Sequence, residues 1–361
     1  MLLSIINILA VTAWTPIGSI YNLPDISSIK ISDKEYCIWK DNNNNFNVVD
    51  DICPHRLAPL SQGRVTGNFI ECGYHGWKFN CNGRCISVPQ EDYAFVKPKK
   101  LNINSYLTKQ TGDILWACLD HNIINDLGFI ERDDILMNSD ITYIREVPYS
   151  WNYLLENFFD PAHIPFAHHG LQSFRDDATS IPIVLEKFTK NELIVRFKDI
   201  TAGKKREGKI VYKSPYIYKL YKKCDKDKCN DCDNWNNDLT ILCVPVTTGK
   251  SRVFMCNDKR RQPDMSMQNI SPSQLRKKQH TMSSKFFNTD DYLVHKQEIN
   301  QSKLNLKYNM PTNSDYSVKL IKKWMDKYHP DWVYHNTNEL TYEQATDNYN
   351  NHISFCKDCN S

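Results

Sequence analysis

Residues 14–110 are built from short runs in which apolar and polar positions alternate, the signature of half-buried strands. KEYCIWK (34–40) and FNVVDDI (46–52) flank the run DNNNN (41–45). Asn tolerates positive φ, so that run predicts a hairpin turn. Val65-Thr66-Gly67-Asn68 and Cys81-Asn82-Gly83-Arg84 predict two more hairpins, the second through an Asn-Gly pair. GDILWACL (112–119) reads as the last strand of this all-β region, and the polar stretch around 121–140 as a connector. ITYIREVPYS (141–150) reads as a further strand. PIVLEKFTK, ELIVRFKDI, GKIVYKSPYIYKLYKK and LTILCVPVTTGKSRVFMCN then predict a large antiparallel sheet between 171 and 260. Helical patterns occupy SKFFNTDDYLVHKQE (284–298) and YNMPTNSDYSVKLIKKWMDKY (308–328). The expected fold class is α+β. Its parts are an all-β domain over 14–120, a helix-containing antiparallel-sheet domain over 141–330, and a tail over 331–361.

The stretch WNYLLENFFDPAHIPFAHHG (151–170) breaks the strand pattern. Asn157, Asp160 and His163 follow at three-residue steps, roughly one face of a helix. Pro161 and Pro165 prevent one straight helix. A break there can swing His168 round to meet His163. Two imidazoles plus a later carboxylate would form a 2-His-1-carboxylate facial triad, which leaves coordination positions open on a non-haem ferrous iron.

Two loops interrupt the N-terminal strands. CPHR (53–56) and CGYHGW (72–77) give Cys53-x-His55, sixteen intervening residues, then Cys72-x2-His75. This is the ligand set of a Rieske [2Fe–2S] cluster, with two thiolates on one iron and two imidazoles on the other. Neutral imidazole removes negative charge, so such centres reduce at roughly −150 to +300 mV. Zinc sites pair like ligands as C-x2–4-C and H-x3–5-H, whereas each loop here supplies one Cys and one His. Cys81 and Cys85 flank the Asn-Gly turn and read as free thiols rather than ligands.

Composition changes this picture little. The 361 residues carry a net charge of +3, which gives no global reason to expect nucleic acid as a partner. Lysines cluster in AGKKREGK (202–209) and KLYKKCDKDK (219–228), which read as solvated loops or as a docking patch for an acidic electron carrier. Thirteen cysteines, an odd number, fit a reducing compartment, the cytoplasm or a plastid stroma. Cys224, Cys229 and Cys232 crowd one charged loop but offer three ligands without a fourth. The apolar start MLLSIINILAVTAW is too short to span a bilayer, and it lacks the basic flank of a secretory signal and the pattern of a transit peptide. No later run reaches transmembrane length.

CPHRLAPLSQGRV (53–65), YHGWKFNCNGRC (74–85), SVPQ (87–90) and ENFFDPAHIPFAHHG (156–170) together resemble the plant and cyanobacterial Rieske oxygenases related to pheophorbide a oxygenase. That family includes chlorophyllide a oxygenase and the Rieske subunit associated with the inner-envelope translocon. The resemblance covers nearly the whole chain. It implies a START-like catalytic domain with a ligand cavity, a [2Fe–2S] cluster, a mononuclear Fe(II), and electron transfer from the first to the second to activate O2. It places the acidic iron ligand ahead of a Gln-Glu pair, and counting back from Gln297-Glu298 selects Asp290, with Asp291 second. Asp before an apolar run is also a good helix N-cap. In resembling enzymes a head-to-tail homotrimer sets one subunit's cluster beside the next subunit's iron. An acid at the position of Asp160 then bridges His163 to a neighbour's His75; the alternative is a helix-terminus acid. Asn157 tunes iron access or is a structural amide. His169 is a solvent or pocket histidine.

The implied partners are a ferredoxin-like donor, O2, and an apolar small molecule, with a chlorophyll-derived tetrapyrrole as the family's suggestion. Phe158, Phe159, Phe166, Phe286 and Phe287 are candidates for the cavity wall or for core. The C-terminal Cys356-x2-Cys359 looks redox-responsive by the same resemblance, although relatives often continue into membrane helices where this chain stops. A dithiol switch and two inert thiols both fit the spacing. The rival functional reading is a redox-sensing regulatory Rieske protein without turnover; a plain electron carrier would need no second iron.

Overall fold

The computed structural model of the chain describes residues 14–91, 99–120, 130–140, 142–223, 235–256, 271–347, 352–353 and 356–360. The chain divides into two compact units, 1–137 and 138–361. Cys224, Cys229 and Cys232 lie outside the described residues, as does the start of the chain before Trp14.

The first unit contains two antiparallel sheets. The six-stranded sheet uses β1 (Trp14–Ser19), β2 (Ile26–Ile31), β3 (Lys34–Lys40), β4 (Phe46–Asp50), β9 (Ser105–Thr111) and β10 (Ile114–Cys118), in the order β1-β10-β9-β4-β3-β2. The smaller sheet runs β5 (Arg64–Thr66), β6 (Phe69–Glu71), β7 (Lys78–Asn80), β8 (Cys85–Ser87). All three predicted hairpins form. At 41–45 the Asp41 carboxylate accepts from the amides of Asn43 and Asn45, both at 2.9 Å, and Asn44 takes φ +64°. Asn80 does the same beside the Asn-Gly turn, accepting from Asn82 and Arg84. Cys81 is exposed and Cys85 buried, and neither is in a disulfide.

The second unit is organised around a seven-stranded antiparallel sheet. Its strands are β11 (Tyr143–Val147), β12 (Ile183–Phe188), β13 (Glu192–Thr201), β14 (Lys204–Lys213), β15 (Ile217–Lys223), β16 (Trp235–Thr247) and β17 (Lys250–Cys256), ordered β11-β17-β16-β15-β14-β13-β12. The run GKIVYKSPYIYKLYKK divides at Pro215, a residue with no amide hydrogen for a ladder. LTILCVPVTTGKSRVFMCN divides at the Thr-Gly turn before Lys250. AGKKREGK is mostly strand rather than solvated loop: only Ala202 and Gly203 form the turn. Lys219–Lys223 likewise lie in β15.

Helices α1 (Trp151–Phe158), α2 (Ile164–Ala167), α3 (Pro272–Leu304), α4 (Tyr316–Tyr328) and α5 (Tyr342–Thr346) belong to this unit. Helix α1 buries Trp151, Leu154 and Leu155 completely in the main core. Helix α3 begins with a reciprocal Ser271–Gln274 capping box and ends at Asn305 in the left-handed region. At 33 residues it is about 50 Å long. Asp290 therefore lies deep inside a helix, which removes the N-cap reading. Among the described residues no helix is long and apolar enough to cross a membrane. The α+β class expected from the sequence holds.

Candidate metal centres

Cys53, His55, Cys72 and His75 sit on the loops that follow β4 and β6. Each loop is closed by backbone bonds around its own cysteine. The amide of Cys53 donates to Ala58 O at 2.8 Å, and the amide of Leu57 returns to Cys53 O at 2.9 Å. Cys72 donates to Trp77 O at 2.8 Å, and Gly76 donates to Cys72 O at 3.0 Å. The turn needs φ +72° at Gly76, which glycine adopts without penalty. At Gly73 a Cβ would meet Gln62 O at 2.7 Å, so only glycine lets the two backbones approach this closely. Asp51 holds the base of the first loop by accepting from Ser61 N and Ser61 Oγ.

The two imidazoles lie side by side, ring centroids 4.5 Å apart and ring planes inclined at 65°. Trp77 stacks flat on His55 at 4.5 Å, and Gln90 Nε2 donates to His75 O. Both thiols are buried, and burial pushes that of Cys53 up to about 12, with the sulfur of Cys72 beside it. His55 Nδ1 is buried with no hydrogen-bond partner. Two closely spaced buried thiols and an adjacent imidazole with an unsatisfied nitrogen fit a cluster that takes thiolates on one side and imidazoles on the other.

The second set comes together in the second unit. Helix α1 ends at Phe158, Asp160 caps the short turn Pro161–His163 by accepting from Ala162 N at 2.8 Å, and α2 follows. These breaks bring His163 Nε2 to 3.3 Å from His168 Nε2. Asp290 Oδ2 reaches in from α3, 3.8 Å from His163 Nε2 and 3.4 Å from His168 Nε2. One ligand atom from each of the three residues lies within 4.8 Å of the others. Burial lowers both His163 and His168 to about 4, so both are neutral at physiological pH. Burial, with Asp291 and Asp160 adding repulsion, raises Asp290 to about 8. A divalent cation between these groups would offset that cost and hold the carboxylate ionised.

The surroundings fix which nitrogen of His168 is free. Thr289 Oγ1 donates to Phe286 O at 2.7 Å, so its lone pair must accept from His168 Nδ1, also at 2.7 Å. His168 therefore carries its hydrogen on Nδ1 and presents a bare Nε2 to the centre. Asn157 Nδ2 donates to Asp290 Oδ2 at 3.1 Å, a contact the residue spacing did not foretell. Asp160 Oδ2 lies 3.9 Å from His163 Nδ1, too far for a hydrogen bond. Asp291, one residue on from Asp290, points elsewhere, into a fully buried ion pair with Arg145 of β11. His169 faces outward and accepts from Arg175 N.

Residues 13–106 match the Rieske [2Fe-2S] domain family. Across the longer chain, similarity extends to protein TIC 55 of Pisum sativum, 26% identical over 343 residues, covering 89% of this chain and 59% of that protein. Pheophorbide a oxygenase of Oryza sativa subsp. japonica is 26% identical over 390 residues, covering 96% of this chain and 72% of the relative. The chain thus carries a Rieske domain and is similar along most of its length to pheophorbide a oxygenase. It spans about three fifths of the length of the TIC 55 proteins it matches. The fold is also that of dicamba monooxygenase, whose complex with 3,6-dichlorosalicylic acid aligns with a TM-score of 0.67 at 16% identity, over 89% of this chain and 98% of the other.

In this chain the triad opens onto a cavity of about 420 Å³, in the size range of small-molecule sites. Phe158, Phe197, Tyr218, Leu220, Phe286 and Phe287 are among its wall residues, with Phe158 stacked on Tyr218 at 5.0 Å. Phe159, by contrast, is core, and Phe166 is half exposed.

Proposed function

We propose that the chain is a Rieske-type oxygenase acting on an apolar organic substrate, with His163, His168 and Asp290 holding a mononuclear Fe(II) and Cys53, His55, Cys72 and His75 holding the [2Fe–2S] cluster. The observation that carries this reading is the convergence of two neutral imidazoles and one carboxylate at the wall of an apolar cavity. A plain electron carrier has no use for three such ligands beside an apolar pocket, whereas a redox sensor is separated from an oxygenase by product formation. When bound, the iron supplies O2 activation, fed by electrons from the cluster.

The protein's own residues do the rest. Thr289 holds the His168 tautomer, Asn157 orients the Asp290 carboxylate, and the aromatic wall excludes water and positions a flat, apolar molecule. Relatives with this resemblance are named for pheophorbide a, a flavonoid, 5,5'-dehydrodivanillate and a methylsterol. Of these, a chlorophyll-derived tetrapyrrole is the first substrate class to test. Asp160 is one-third exposed, which suits a carboxylate that bridges to His75 of a neighbouring subunit in a homotrimer. A reduced ferredoxin is the donor class in this reading.

The test is single-turnover and steady-state product analysis of the reconstituted full chain, with reduced ferredoxin, O2 and a panel of tetrapyrroles, flavonoids and sterols. The reading expects an oxygenated product that His163→Ala abolishes while the cluster's reduced-state spectrum persists. Full O2-dependent turnover in His163→Ala would end it. A redox-sensing subunit would instead cycle its cluster without forming product from any substrate class.

A further inference from the structure

A second convergence of ligating side chains lies away from the iron triad. His280 comes from α3, ten residues before Asp290, and His352, Cys356 and Cys359 come from the C-terminal tail. All four are buried, and one ligand atom of each lies within 4.8 Å of the others. Around His280 Nδ1 stand His352 Nε2 at 3.0 Å, Cys356 Sγ at 3.3 Å and Cys359 Sγ at 3.6 Å. A ring nitrogen has either one lone pair or one hydrogen, so it can satisfy one of these neighbours and not three. A tetrahedral ion bound at about 2.0–2.1 Å to nitrogen and about 2.3 Å to sulfur sets its ligand atoms roughly 3.3–3.8 Å apart. The observed spacings are close to that set.

The surroundings are arranged as they are behind metal ligands. His352 Nδ1 is 2.7 Å from Ile144 O of β11. A carbonyl only accepts, so Nδ1 carries the hydrogen and Nε2 turns a lone pair toward the cluster of ligands. Tyr143 stacks on the same ring at 4.3 Å and meets His280 edge-on at 5.4 Å. Arg276, one turn before His280, pairs with Asp358, which lies between the two cysteines.

We propose that His280, His352, Cys356 and Cys359 form a structural Zn²⁺ site that fastens the C-terminal tail to α3 and β11. Four protein ligands with mixed nitrogen and sulfur donors leave no open position, the mark of a structural zinc site. The Cys-x2-Cys spacing supplies the paired thiolates such sites use, unlike the split Cys-x-His pairs of the N-terminal loops. Zinc binding and a Cys356–Cys359 disulfide are mutually exclusive uses of the same two sulfurs. The site shares α3 with Asp290, about 15 Å along the helix, so the zinc also anchors the helix that carries the acid of the iron triad.

The experiment is zinc analysis of the full chain, purified without chelator under reducing conditions, with absorption spectroscopy at the zinc edge to read its neighbours. The expected result is about one zinc per chain with about two sulfur and about two nitrogen neighbours. A Cys356→Ser, Cys359→Ser double variant should lose the zinc while the Rieske cluster keeps its electron paramagnetic resonance signal. Should that variant fail to fold, cobalt substitution of the wild-type chain must give tetrahedral d–d bands with thiolate charge transfer. A reduced chain that neither contains zinc nor binds added zinc or cobalt would overturn the proposal. So would zinc with no sulfur neighbours, or zinc retained by a folded double variant. None of these outcomes depends on oxygenase turnover.

Discussion

Thr289→Val probes the proposed iron site through a residue outside the His163–His168–Asp290 triad. Valine keeps the shape of threonine and removes the one acceptor for His168 Nδ1–H. His168 is 6% exposed, so water cannot take over the bond. A buried donor left bare costs about 1–3 kcal/mol. The ring can escape that cost only by moving its hydrogen to Nε2, which removes the lone pair aimed at His163 and Asp290. Either route weakens metal binding. Loss of such a supporting bond typically costs about 10–100-fold in affinity, which is about 1.4–2.7 kcal/mol and agrees with the desolvation figure. The assay is ferrous-ion titration of cluster-loaded protein against a competing chelator, with the reduced-cluster spectrum as the folding control. Thr289→Ser, which keeps the hydroxyl, should stay near wild type. An affinity for Thr289→Val within about 2-fold of wild type would refute the tautomer argument.

Other consequences are equally specific. Arg145→Ala removes the cation from a fully buried ion pair with Asp291, and urea unfolding should show a loss of about 3–5 kcal/mol; a loss under about 1 kcal/mol would contradict a buried, ionised pair. Gly73→Ala drives a Cβ into Gln62 O, so the purified chain should carry well under half the wild-type cluster by visible absorption, and full cluster content would contradict the loop packing. Burial lowers His329 to about 4, against about 6.5 in an unfolded chain. Between those values the unfolded state binds the extra proton, so the His329 contribution is fully present above about pH 6.5 and is lost as pH falls toward 4. Its share is at most about 3 kcal/mol, and His329→Gln should flatten the acid limb of the stability–pH curve; an unchanged limb would show that His329 titrates normally.

Much of this was legible along the chain because the signals are local. Asn-rich and Asn-Gly turns announce their hairpins, and the Cys-x-His and Cys-x2-His loops carry their chemistry in spacing alone. Pro161 and Pro165 foretold the break that brings His168 back to His163. What the sequence hid was contact across long separations. Thr289 meets His168 from 121 residues away, and Asp291 meets Arg145 from 146. Adjacent acids on one helix point about 100° apart, so only the packing of α3 against β11 decides that Asp290 faces the cavity and Asp291 the core. The tail cysteines read as an isolated dithiol because His280 lies 76 residues before Cys356. The run GKIVYKSPYIYKLYKK hid its division because strand-forming apolar residues continue on both sides of Pro215.

The most direct measurement is the iron and acid-labile sulfide content of the chain reconstituted with iron and sulfide under argon. Two separate centres predict about three irons and about two sulfides per chain, with one iron lost selectively in Asp290→Ala. About two irons per chain in the wild type, unchanged by Asp290→Ala, would mean that no mononuclear iron binds and that the chain carries or senses electrons without activating O2.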